Sequence, residues 1–417
     1  MRILIYGINY PPEQIATGKY TGEMAAWLAG QNHSVRVVTA HPYYPQWRVL
    51  EGYKAWQYRR ESIDGVDVWR CPIWVPHAPS GMSRIVHLLS FTCSSFPAML
   101  MQLLWRPDIV LVIEPPLFCA PQAWFTARLC GAKAWLHVQD FEVSAFFGLG
   151  FMSSGVFQKC VVACEGWLMR RFDHVSSISK AMVDRVIRLR VPEQNTSLFP
   201  NWVDTEYIRP DSGGRDLRSS WGFTDEQKII LYAGNIGKKQ GLEMMLAVAV
   251  SLSKTHPHAV FLLVGEGAAK EQLVSEAQAR GLTNMVFKPV QPLKDLPALL
   301  SLADLHLVIQ KRGAADAVMP SKLTGILAAG GFSIITADEH TELGQLVCSN
   351  PGIAVLVEPE NANALATAIV DFLDHGKTVR QHNTVARNYA EQHLSSTTVL
   401  RKLNDKISDL TGNSERT

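Results

Sequence analysis

The sequence predicts an α/β protein of two domains, each with a parallel sheet and crossover helices. Short β-branched runs alternate with helical stretches along almost the whole chain, and this alternation is typical of parallel sheets. The length of 417 residues fits two domains of ordinary size. Residues 201–223, which are rich in glycine and mixed charge, separate two series of such elements, and we interpret them as the linker.

The first series, residues 1–203, contains six predicted strands and five predicted helices. A strand is assigned to each short apolar run bounded by turn residues, and a helix to each longer run with apolar residues every three to four positions. The predicted strands cover residues 2–6, 34–39, 66–70, 108–113, 133–138 and 174–177. The predicted helices cover residues 17–31, 83–104, 121–130, 155–172 and 180–189.

The second series, residues 204–395, repeats the same alternation of strand and helix. The predicted strands cover residues 228–233, 259–264, 284–287, 305–309, 333–336 and 354–357. The predicted helices cover residues 242–253, 269–279, 293–302, 322–329, 362–375 and 378–393. A last predicted helix, residues 396–410, closes the chain, and we expect it to pack back on the first domain.

The composition fits a globular protein with substantial cores. Hydrophobic residues make up 47% of the chain and charged residues 19%, and the net charge is +2. Such a balanced charge leaves no basic footprint for nucleic acid, so we expect no nucleic acid partner. The weak positive charge is compatible with docking on an anionic membrane face.

The seven cysteines predict neither a disulfide framework nor a metal site. They form no CxxC pair, and a zinc site near Cys160 and Cys164 would need further ligands nearby. We therefore expect reduced core cysteines in a cytoplasmic protein. The N-terminal segment MRILIYGINYPP agrees with that location, because it enters a strand directly, without an apolar signal region.

Residues 85–105 form an uncharged segment flanked by Arg84 and Arg106. The segment is just long enough to span a bilayer. Its serine, threonine, histidine and glutamine residues, the central Pro97 and the strand that follows favour a helix that is buried or lies on a membrane surface. We take this second interpretation, and a transmembrane span stays open as the alternative.

Two turns predict a binding site for a diphosphate. IILYAGNIGKKQG, residues 229–241, runs from an apolar strand through a glycine turn into a helix, and VMPSKLTGILAAGG, residues 318–331, opens another helix. Glycine lets backbone N–H groups approach a ligand, and helix N-termini carry partial positive charge. A bound diphosphate indicates a sugar nucleotide and therefore glycosyl transfer. The donor-binding candidates here are Gly234, Asn235, Gly237, Lys239, Pro320, Ser321 and Lys322.

The other donor-binding candidates and the lysines each have a plainer alternative. Gly18 opens the first helix and could admit a phosphate or a sugar ring, or serve only as a turn glycine. Gly265 and Glu266 belong to a VGEG turn after an apolar strand, near the expected nucleotide. Lys239 could be a solvated surface charge. Lys322 follows proline and serine in an apolar context, so it is the better cation for a departing diphosphate.

The segment LHVQDFE places polar side chains at the carboxyl end of the fifth predicted strand. His137 and Gln139 share a face because strand side chains alternate, and Asp140 begins the loop. Polar side chains at this end of a parallel strand are in the usual place for a site. We therefore take Gln139 and Asp140 as functional, whereas His137 is open to a catalytic or a core role.

Six segments, in order along nearly the whole chain, resemble those of the family 4 glycosyltransferases. They are NYPPEQIATG, FPNWVDTEYIRP, LYAGNIGKKQGL, VGEGAAKEQL, NMVFKPVQPLKDLPALLSLADLHLV and PSKLTGILAAG. The resemblance implies the GT-B fold, with two Rossmann-like domains facing each other across a cleft. It also implies that the first domain binds the acceptor and the second binds the nucleotide sugar. The VQD and PSK motifs look most similar to those of bacterial exopolysaccharide enzymes.

The chain departs from the family pattern at five positions. Asn235 and Gln240 stand where the family often has Arg and Lys, so another lysine has to supply the charge. The two glutamates of the family's Glu-x7-Glu motif align with Ala317 and Gly325. The first of them usually touches the donor sugar, so the donor cannot be carried over from the family. Gln139 aligns with the family's histidine.

We expect a retaining transferase that uses a nucleotide sugar and needs neither a metal nor another cofactor, since no DxD motif follows a strand. The predicted catalytic residues are His137, Gln139, Asp140 and Lys322. The expected acceptor is a polyprenyl-diphosphate-linked saccharide at the inner face of the cytoplasmic membrane, because residues 85–105 are apolar with arginines at both ends. A sugar-nucleotide epimerase of the same fold and a non-catalytic sugar-nucleotide-binding subunit are the alternatives.

Overall fold

The chain folds into two units, each built around a sheet of its own. A computed structural model describes residues 1–13, 16–77, 79–142, 155–237, 240–312, 321–375 and 382–412. Met1–Pro200 and Leu400–Thr417 form the first unit, and Asn201–Val399 form the second. The boundary falls within a few residues of the one expected after residue 203.

The first unit contains an eight-stranded sheet in the order β3-β4-β2-β1-β5-β6-β7-β8. All neighbouring strands are parallel except β3, which runs antiparallel to β4. The strands are β1 Arg2–Tyr6, β2 Ser34–Ala40, β3 Arg59–Ile63, β4 Val66–Cys71, β5 Ile109–Glu114, β6 Lys133–Val138, β7 His174–Ser177 and β8 Thr196–Leu198. Strands β2 to β4 lie on one side of β1 and strands β5 to β8 on the other, so the topological switch point falls between β1 and β5. Open α/β sheets bind ligands at the carboxyl ends of the strands at such a point.

Helices cover this sheet, and one of them comes from the C-terminus. The helices before residue 200 are α1 Ala16–Gly30, α2 Gly81–Trp105, α3 Ala120–Cys130, α4 Val156–Met169 and α5 Lys180–Arg188. The last helix, α14 Ser396–Thr411, runs into the first unit. It is tied there by a hydrogen bond between Asn404 Oδ1 and His33 Nε2, 2.7 Å apart, and its Leu403 and Ile407 are buried.

Two strands of the first sheet were not predicted. The sequence of β3, RRESI, is mostly charged and exposed, so it lacks the apolar run that predicts a strand. It lies at the edge of the sheet, where charged side chains are common because only one side of the strand is paired. The second missed strand, β8, has only three residues.

The second unit contains a six-stranded, wholly parallel sheet in the order β11-β10-β9-β12-β13-β14. Its strands are β9 Lys228–Ala233, β10 Ala259–Val264, β11 Met285–Lys288, β12 Leu305–Val308, β13 Ser333–Thr336 and β14 Val355–Val357. Its helices are α6 Gly214–Ser220, α7 Glu243–Thr255, α8 Lys270–Ala279, α9 Leu296–Ser301, α10 Ser321–Ala328, α11 Glu342–Ser349, α12 Ala362–His375 and α13 Thr384–Tyr389. Helix α11 was not predicted, and the predicted helix 378–393 lies partly outside the described residues.

The predicted linker, residues 201–223, is wrong for its second half, because α6 is an integral part of the second unit. The Arg218 side chain is buried and pairs with Asp304, with 3.2 Å between Nη1 and Oδ2. A Cβ atom on Gly214 would lie 2.4 Å from the backbone of Ser301, so α6 packs directly on α9. One of the charges that suggested a solvated segment, Arg218, is thus used inside the unit, whereas the other charged residues of the segment are exposed.

The prediction of core cysteines is wrong for most of the seven. All are free thiols, but only Cys71 and Cys119 are buried. Cys130 is partly buried, and the exposed thiols are Cys93, Cys160, Cys164 and Cys348. Within the described ranges, no group of three or more His, Cys, Asp or Glu side chains is arranged to hold a metal ion.

Candidate functional site

Glycines press two loops together at the carboxyl edge of the second sheet. A Cβ atom on Gly265, which follows β10, would lie 1.9 Å from the carbonyl oxygen of Gly234, which follows β9. A Cβ atom on Gly267 would lie 2.4 Å from the oxygen of Ile236. Gly234 and Gly267 also have positive φ angles, 146° and 154°, a conformation that other residues rarely adopt. Only glycine therefore permits this contact between the loops.

Backbone hydrogen bonds fix the two loops and leave two amides over. The N–H groups of Gly234 and Ile236 donate to the carbonyls of Val264 and Glu266, at 2.9 and 2.8 Å. These two groups are therefore not available to a ligand, contrary to the simplest interpretation of the glycine turn. In the part of the chain that the structure describes, the N–H groups of Asn235 and Gly237 donate to no backbone acceptor.

Lys322, at the start of α10, lies against the glycine turn. Its Cδ is 3.7 Å from the position of a Cβ on Gly234, and its Nζ is 4.1 Å from the ring centroid of Tyr232. The Tyr232 hydroxyl donates to the carbonyl of Asn235 at 2.8 Å. The structure thus brings together Gly234, Asn235 and Lys322, which are far apart in the sequence.

The Lys322 ammonium is a cation in need of a counter-charge. Part of the side chain reaches the surface, but the ammonium is surrounded mostly by protein, and this burial lowers its pKa from 10.5 to about 8. Among the described residues, no carboxylate forms an ion pair with it. A bound anion would restore its charge, since opposite charges favour the protonated form of lysine.

A mostly apolar pocket of about 220 Å³ lies beside Lys322. Its walls include both glycine loops, α9 and α10. The polar side chains that line it are those of Gln291, His306 and Lys322. Burial lowers the pKa of His306 to about 4, so this imidazole is neutral at pH 7. An apolar pocket with few polar groups is the usual form of a small-molecule site.

The remaining donor-binding candidates of the second unit do not all join this group. The Glu266 carboxylate is exposed and forms an ion pair with Lys270, at 2.6 Å, while its backbone serves the loop contact. Lys239 and Pro320 lie outside the described residues. The backbone of Ser321 begins α10, but its side chain is likewise outside the described set.

In the first unit, His137 is enclosed in a hydrogen-bond network at the end of β6. Its Nδ1 lies 2.9 Å from the Ser176 hydroxyl and its Nε2 lies 3.0 Å from the Gln139 side-chain nitrogen. The ring packs against Phe199, with 4.8 Å between centroids, and burial lowers its pKa to about 3. His137 is therefore a neutral buried group that holds Gln139, whereas Asp140 is exposed.

Gly18 is buried under Glu13, a residue that was not among the predicted site residues. A Cβ on Gly18 would lie 3.0 Å from the Glu13 carbonyl oxygen and 3.5 Å from its carboxylate. The Glu13 carboxylate accepts hydrogen bonds from the amides of Tyr43 and Tyr44, at 2.7 and 2.8 Å. The side-chain amide of Asn9 adds a third at 2.9 Å. Glu13 thus joins the loops that follow β1 and β2.

Two more carboxyl groups lie near the ends of β5 and β6. Glu114 is fully buried, and neither of its carboxyl oxygens has a hydrogen-bond partner within the described residues. Its pKa is raised well above the usual value, first by burial and then by the charge of Glu165. Glu142 accepts a hydrogen bond from the Leu117 amide at 2.8 Å, and burial raises its pKa to about 7. In the sequence, only its position as an acidic residue at the end of an apolar strand could have indicated Glu114.

Comparison with known proteins identifies the family. Residues 16–202 match the family described as Glycosyl transferase 4-like domain, and residues 215–392 match Glycosyl transferases group 1. Over 417 residues, the chain is 48% identical to a protein of Escherichia coli (strain K12) with the provisional name colanic acid biosynthesis glycosyl transferase WcaI. The match covers 99% of this chain and 100% of that protein. The chain belongs to the family 4 glycosyltransferases.

This glycosyltransferase has the GT-B fold, as predicted. A sucrose-phosphate synthase from Thermosynechococcus elongatus matches over 99% of both chains, with a TM-score of 0.73 and 16% identity. The Anabaena protein HepE, solved in complex with UDP-glucose, matches over 98% of this chain and 100% of its own, with a TM-score of 0.67 and 14% identity. At these identities the likeness concerns the fold alone.

Proposed function

We propose that this glycosyltransferase moves a hexose, with retention of configuration, from a nucleoside-diphosphate sugar to an acceptor without a metal ion. The proposal depends chiefly on Lys322, whose side chain lies beside Gly234 and whose ammonium has no carboxylate partner among the described residues. We place the donor diphosphate between Lys322 and the amides of Asn235 and Gly237. A departing nucleoside diphosphate carries the negative charge that such donors stabilise.

The nucleoside of the donor belongs, in this proposal, in the 220 Å³ pocket beside Lys322. Its apolar walls suit a flat base, and Gln291 supplies polar atoms at its edge. The Anabaena protein of the same fold has been solved with UDP-glucose, which supports a sugar nucleotide as the class of ligand. GDP-L-fucose is the first donor that we propose to test, on the likeness to bacterial exopolysaccharide enzymes alone.

The acceptor that we propose is a polyprenyl-diphosphate-linked saccharide in exopolysaccharide synthesis, at the inner face of the cytoplasmic membrane. The name of the Escherichia coli relative refers to colanic acid biosynthesis, which supports this pathway class. Of the described helices, α2 is long and apolar enough to cross a membrane by length and composition. We propose that it attaches the protein peripherally, with Gln139 and Asp140 near the reacting sugar and His137 holding Gln139.

The test is a screen of UDP- and GDP-sugars with a lipid-linked glucose acceptor, read by mass spectrometry. We expect product with the wild type and at least a hundredfold lower turnover with Lys322→Ala. Removing one group that stabilises negative charge in a transition state lowers the rate by about 10²–10³. Lys322→Arg should keep part of the activity. Lys254→Ala, on the exposed end of α7, is the matched control and should behave as wild type.

Near-normal turnover of Lys322→Ala would contradict the proposed diphosphate site. Release or inversion of the donor sugar without transfer to the acceptor would favour the epimerase alternative. Binding of a nucleotide sugar without any turnover, across the whole screen, would favour a non-catalytic subunit.

A further inference from the structure

Polar contacts bind the inner face of α2 to the first sheet. The Ser95 hydroxyl lies 2.5 Å from the Tyr6 hydroxyl, and Arg36 donates to the Gln102 side-chain oxygen at 2.8 Å. Both Ser95 and Gln102 are fully buried. A helix that left the sheet to cross a bilayer would take these groups into lipid without their partners, which is costly. The structure therefore favours α2 as a surface helix of the first unit.

The outer face of α2 is a continuous apolar stripe. Most exposed apolar side chains lie three or four residues apart, with the exposed Cys93 between Leu89 and Phe96, which places them on one side of the helix, and Met101 lies at its flank. The exposed apolar side chains are Met82, Val86, Leu89, Phe96, Leu100, Met101 and Leu104. Leu104 and Met82 are 88% and 71% exposed, so no other part of the described chain covers the two ends of the stripe. At 1.5 Å per residue it is about 33 Å long.

Helices α3 and α4 extend this apolar surface. Helix α3 packs beside α2, and the exposed Phe125 and Leu129 lie on it. The Arg171 guanidinium lies 4.6 Å from the ring centroid of Trp167 and 5.9 Å from that of Trp124, so it joins α4 to α3. Trp167 is itself half exposed, at 51%. We call the exposed side of α2, α3 and α4, with Arg171, the acid-free face.

All exposed charge on the acid-free face is positive. Helices α2 and α3 contain no Asp or Glu, and the single acid of α4, Glu165, is buried and paired with Arg185 at 3.6 Å. Within the described residues, Arg128 and Arg171 form no ion pair with a carboxylate and instead stack on tryptophan rings. The cations of this face are Arg106, Arg128, Lys159 and Arg171, whereas Arg84 lies on the other side of α2, over the Trp47 ring.

The charge distinguishes between two kinds of occupant. A second copy of the chain on a two-fold axis would bring the cationic helices of the acid-free face together with no carboxylate from these helices between them, which is repulsive. An anionic bilayer accepts both components, because apolar side chains enter the acyl region while tryptophan and arginine stay at the headgroups. Charge complementarity therefore favours lipid.

We infer that the acid-free face lies flat on an anionic bilayer, with the Trp124–Arg171–Trp167 stack at the level of the lipid phosphates. This inference deepens the peripheral location given under the proposed function and rests on it. It assigns three helices to the contact, including α4, and it excludes a spanning α2. The second unit contributes nothing to the contact in this inference.

The test is flotation of the full-length protein with vesicles of phosphatidylethanolamine and phosphatidylglycerol, compared with phosphatidylcholine vesicles. We expect wild-type protein to float with the anionic vesicles at low salt and to be released at high salt. Met101→Glu/Leu104→Glu should weaken binding at least tenfold, since it places two carboxylates in the contact. Arg128→Gln/Arg171→Gln should weaken it about 25-fold, at about fivefold for each arginine.

Matched controls lie outside the acid-free face. Val250→Glu changes a 44% exposed apolar residue on α7, and Arg401→Gln removes an exposed cation of α14. Both controls should bind vesicles within twofold of wild type. Equal binding to both kinds of vesicle, or unchanged binding by the two face variants, would overturn the inference. So would a wild-type dimer in solution that Met101→Glu/Leu104→Glu dissociates.

A nucleotide-binding measurement separates this inference from the proposed function. Calorimetry with UDP and GDP should give the same affinities for wild type and both face variants, because the diphosphate site belongs to the second unit. If the face variants lose vesicle binding but keep nucleotide binding, the inference is supported. If Lys322→Ala leaves nucleotide binding intact while vesicle binding behaves as expected, the proposed diphosphate site is wrong and the membrane contact of the acid-free face is still supported.

Discussion

Burial without a carboxylate partner among the described residues makes the Lys322 ammonium a candidate anion-binding group. The ammonium is packed on the Tyr232 ring rather than on a carboxylate, and the same burial that lowers its pKa to about 8 strengthens its attraction to a diphosphate. The sequence indicated this residue because a lysine follows Pro320 and Ser321 in an apolar segment. It did not indicate Tyr232, because ring and ammonium meet only when β9 and α10 are folded together.

Nucleotide binding should depend on pH through Lys322. The ammonium is charged below its folded-state pKa of about 8 and neutral above it, so affinity for UDP or GDP should fall as pH rises from 7.5 to 9.5, by up to tenfold per unit. Calorimetry across this range gives the measurement. Lys322→Ala should bind more weakly and lack the dependence, and an equally steep curve for that variant would exclude Lys322 as the titrating group.

Stability should change in the opposite direction over the same pH range. The Lys322 pKa is about 8 in the folded chain and 10.5 without burial, so the unfolded chain holds more protons between these values. The contribution of Lys322 to the free energy of unfolding therefore rises with pH from about 8 toward 10.5. Weaker nucleotide binding above pH 8 is thus not a sign of Lys322-linked unfolding.

At the scale of elements, the glycines of the two loops chiefly allow the loops to pack and hydrogen-bond against each other. The sequence predicted that glycine would bring amides close to a phosphate. In the structure, Gly265 and Gly267 bring one loop against the next, and the amides of Gly234 and Ile236 are used in that contact. The prediction placed the loops correctly but not the roles of their N–H groups, because loop-to-loop contacts are not visible in one segment.

Gly265→Ala should separate these two loops. The added methyl group would lie 1.9 Å from the backbone oxygen of Gly234, so the loops must move, at a cost of about 1–3 kcal/mol. We expect the melting temperature to fall by several degrees and UDP or GDP affinity to fall at least tenfold. Gly30→Ala is the control, because a Cβ there meets nothing within 4 Å. A Gly265→Ala protein with wild-type stability and affinity would contradict the loop contact.

Helices and strands with a clear local pattern of apolar residues were predicted. Those that depend on contacts with residues far along the chain were missed. The strand at Lys228–Ala233 is an apolar run that any chain would bury. Helix α6 was taken for linker because of its glycines and mixed charge, yet its Arg218 is buried and pairs with Asp304, far along the chain. The same reason accounts for β3, an edge strand that depends on β4.

At the scale of the whole molecule, periodicity and six ordered segments were enough to predict two parallel-sheet units and the family. The contents of the first unit's site were less predictable. Glu13 acts on the amides of Tyr43 and Tyr44, and Glu114 is buried without a partner in the described residues. No sequence motif or residue spacing marks either environment, because each depends on segments that meet only after the sheet has formed.

The unpredicted exposure of the thiols supplies natural reporters of lipid contact. Cys93 on α2 and Cys160 and Cys164 on α4 are exposed on the helices of the acid-free face, whereas Cys348 is exposed on α11 of the second unit. Anionic vesicles should slow maleimide alkylation of the first three thiols and leave Cys348 unchanged, as peptide mass mapping would show. If vesicles changed the alkylation rates of all four thiols equally, the rates would give no evidence of lipid contact at α2 and α4. The wild-type chain therefore carries both the reporter and its internal reference.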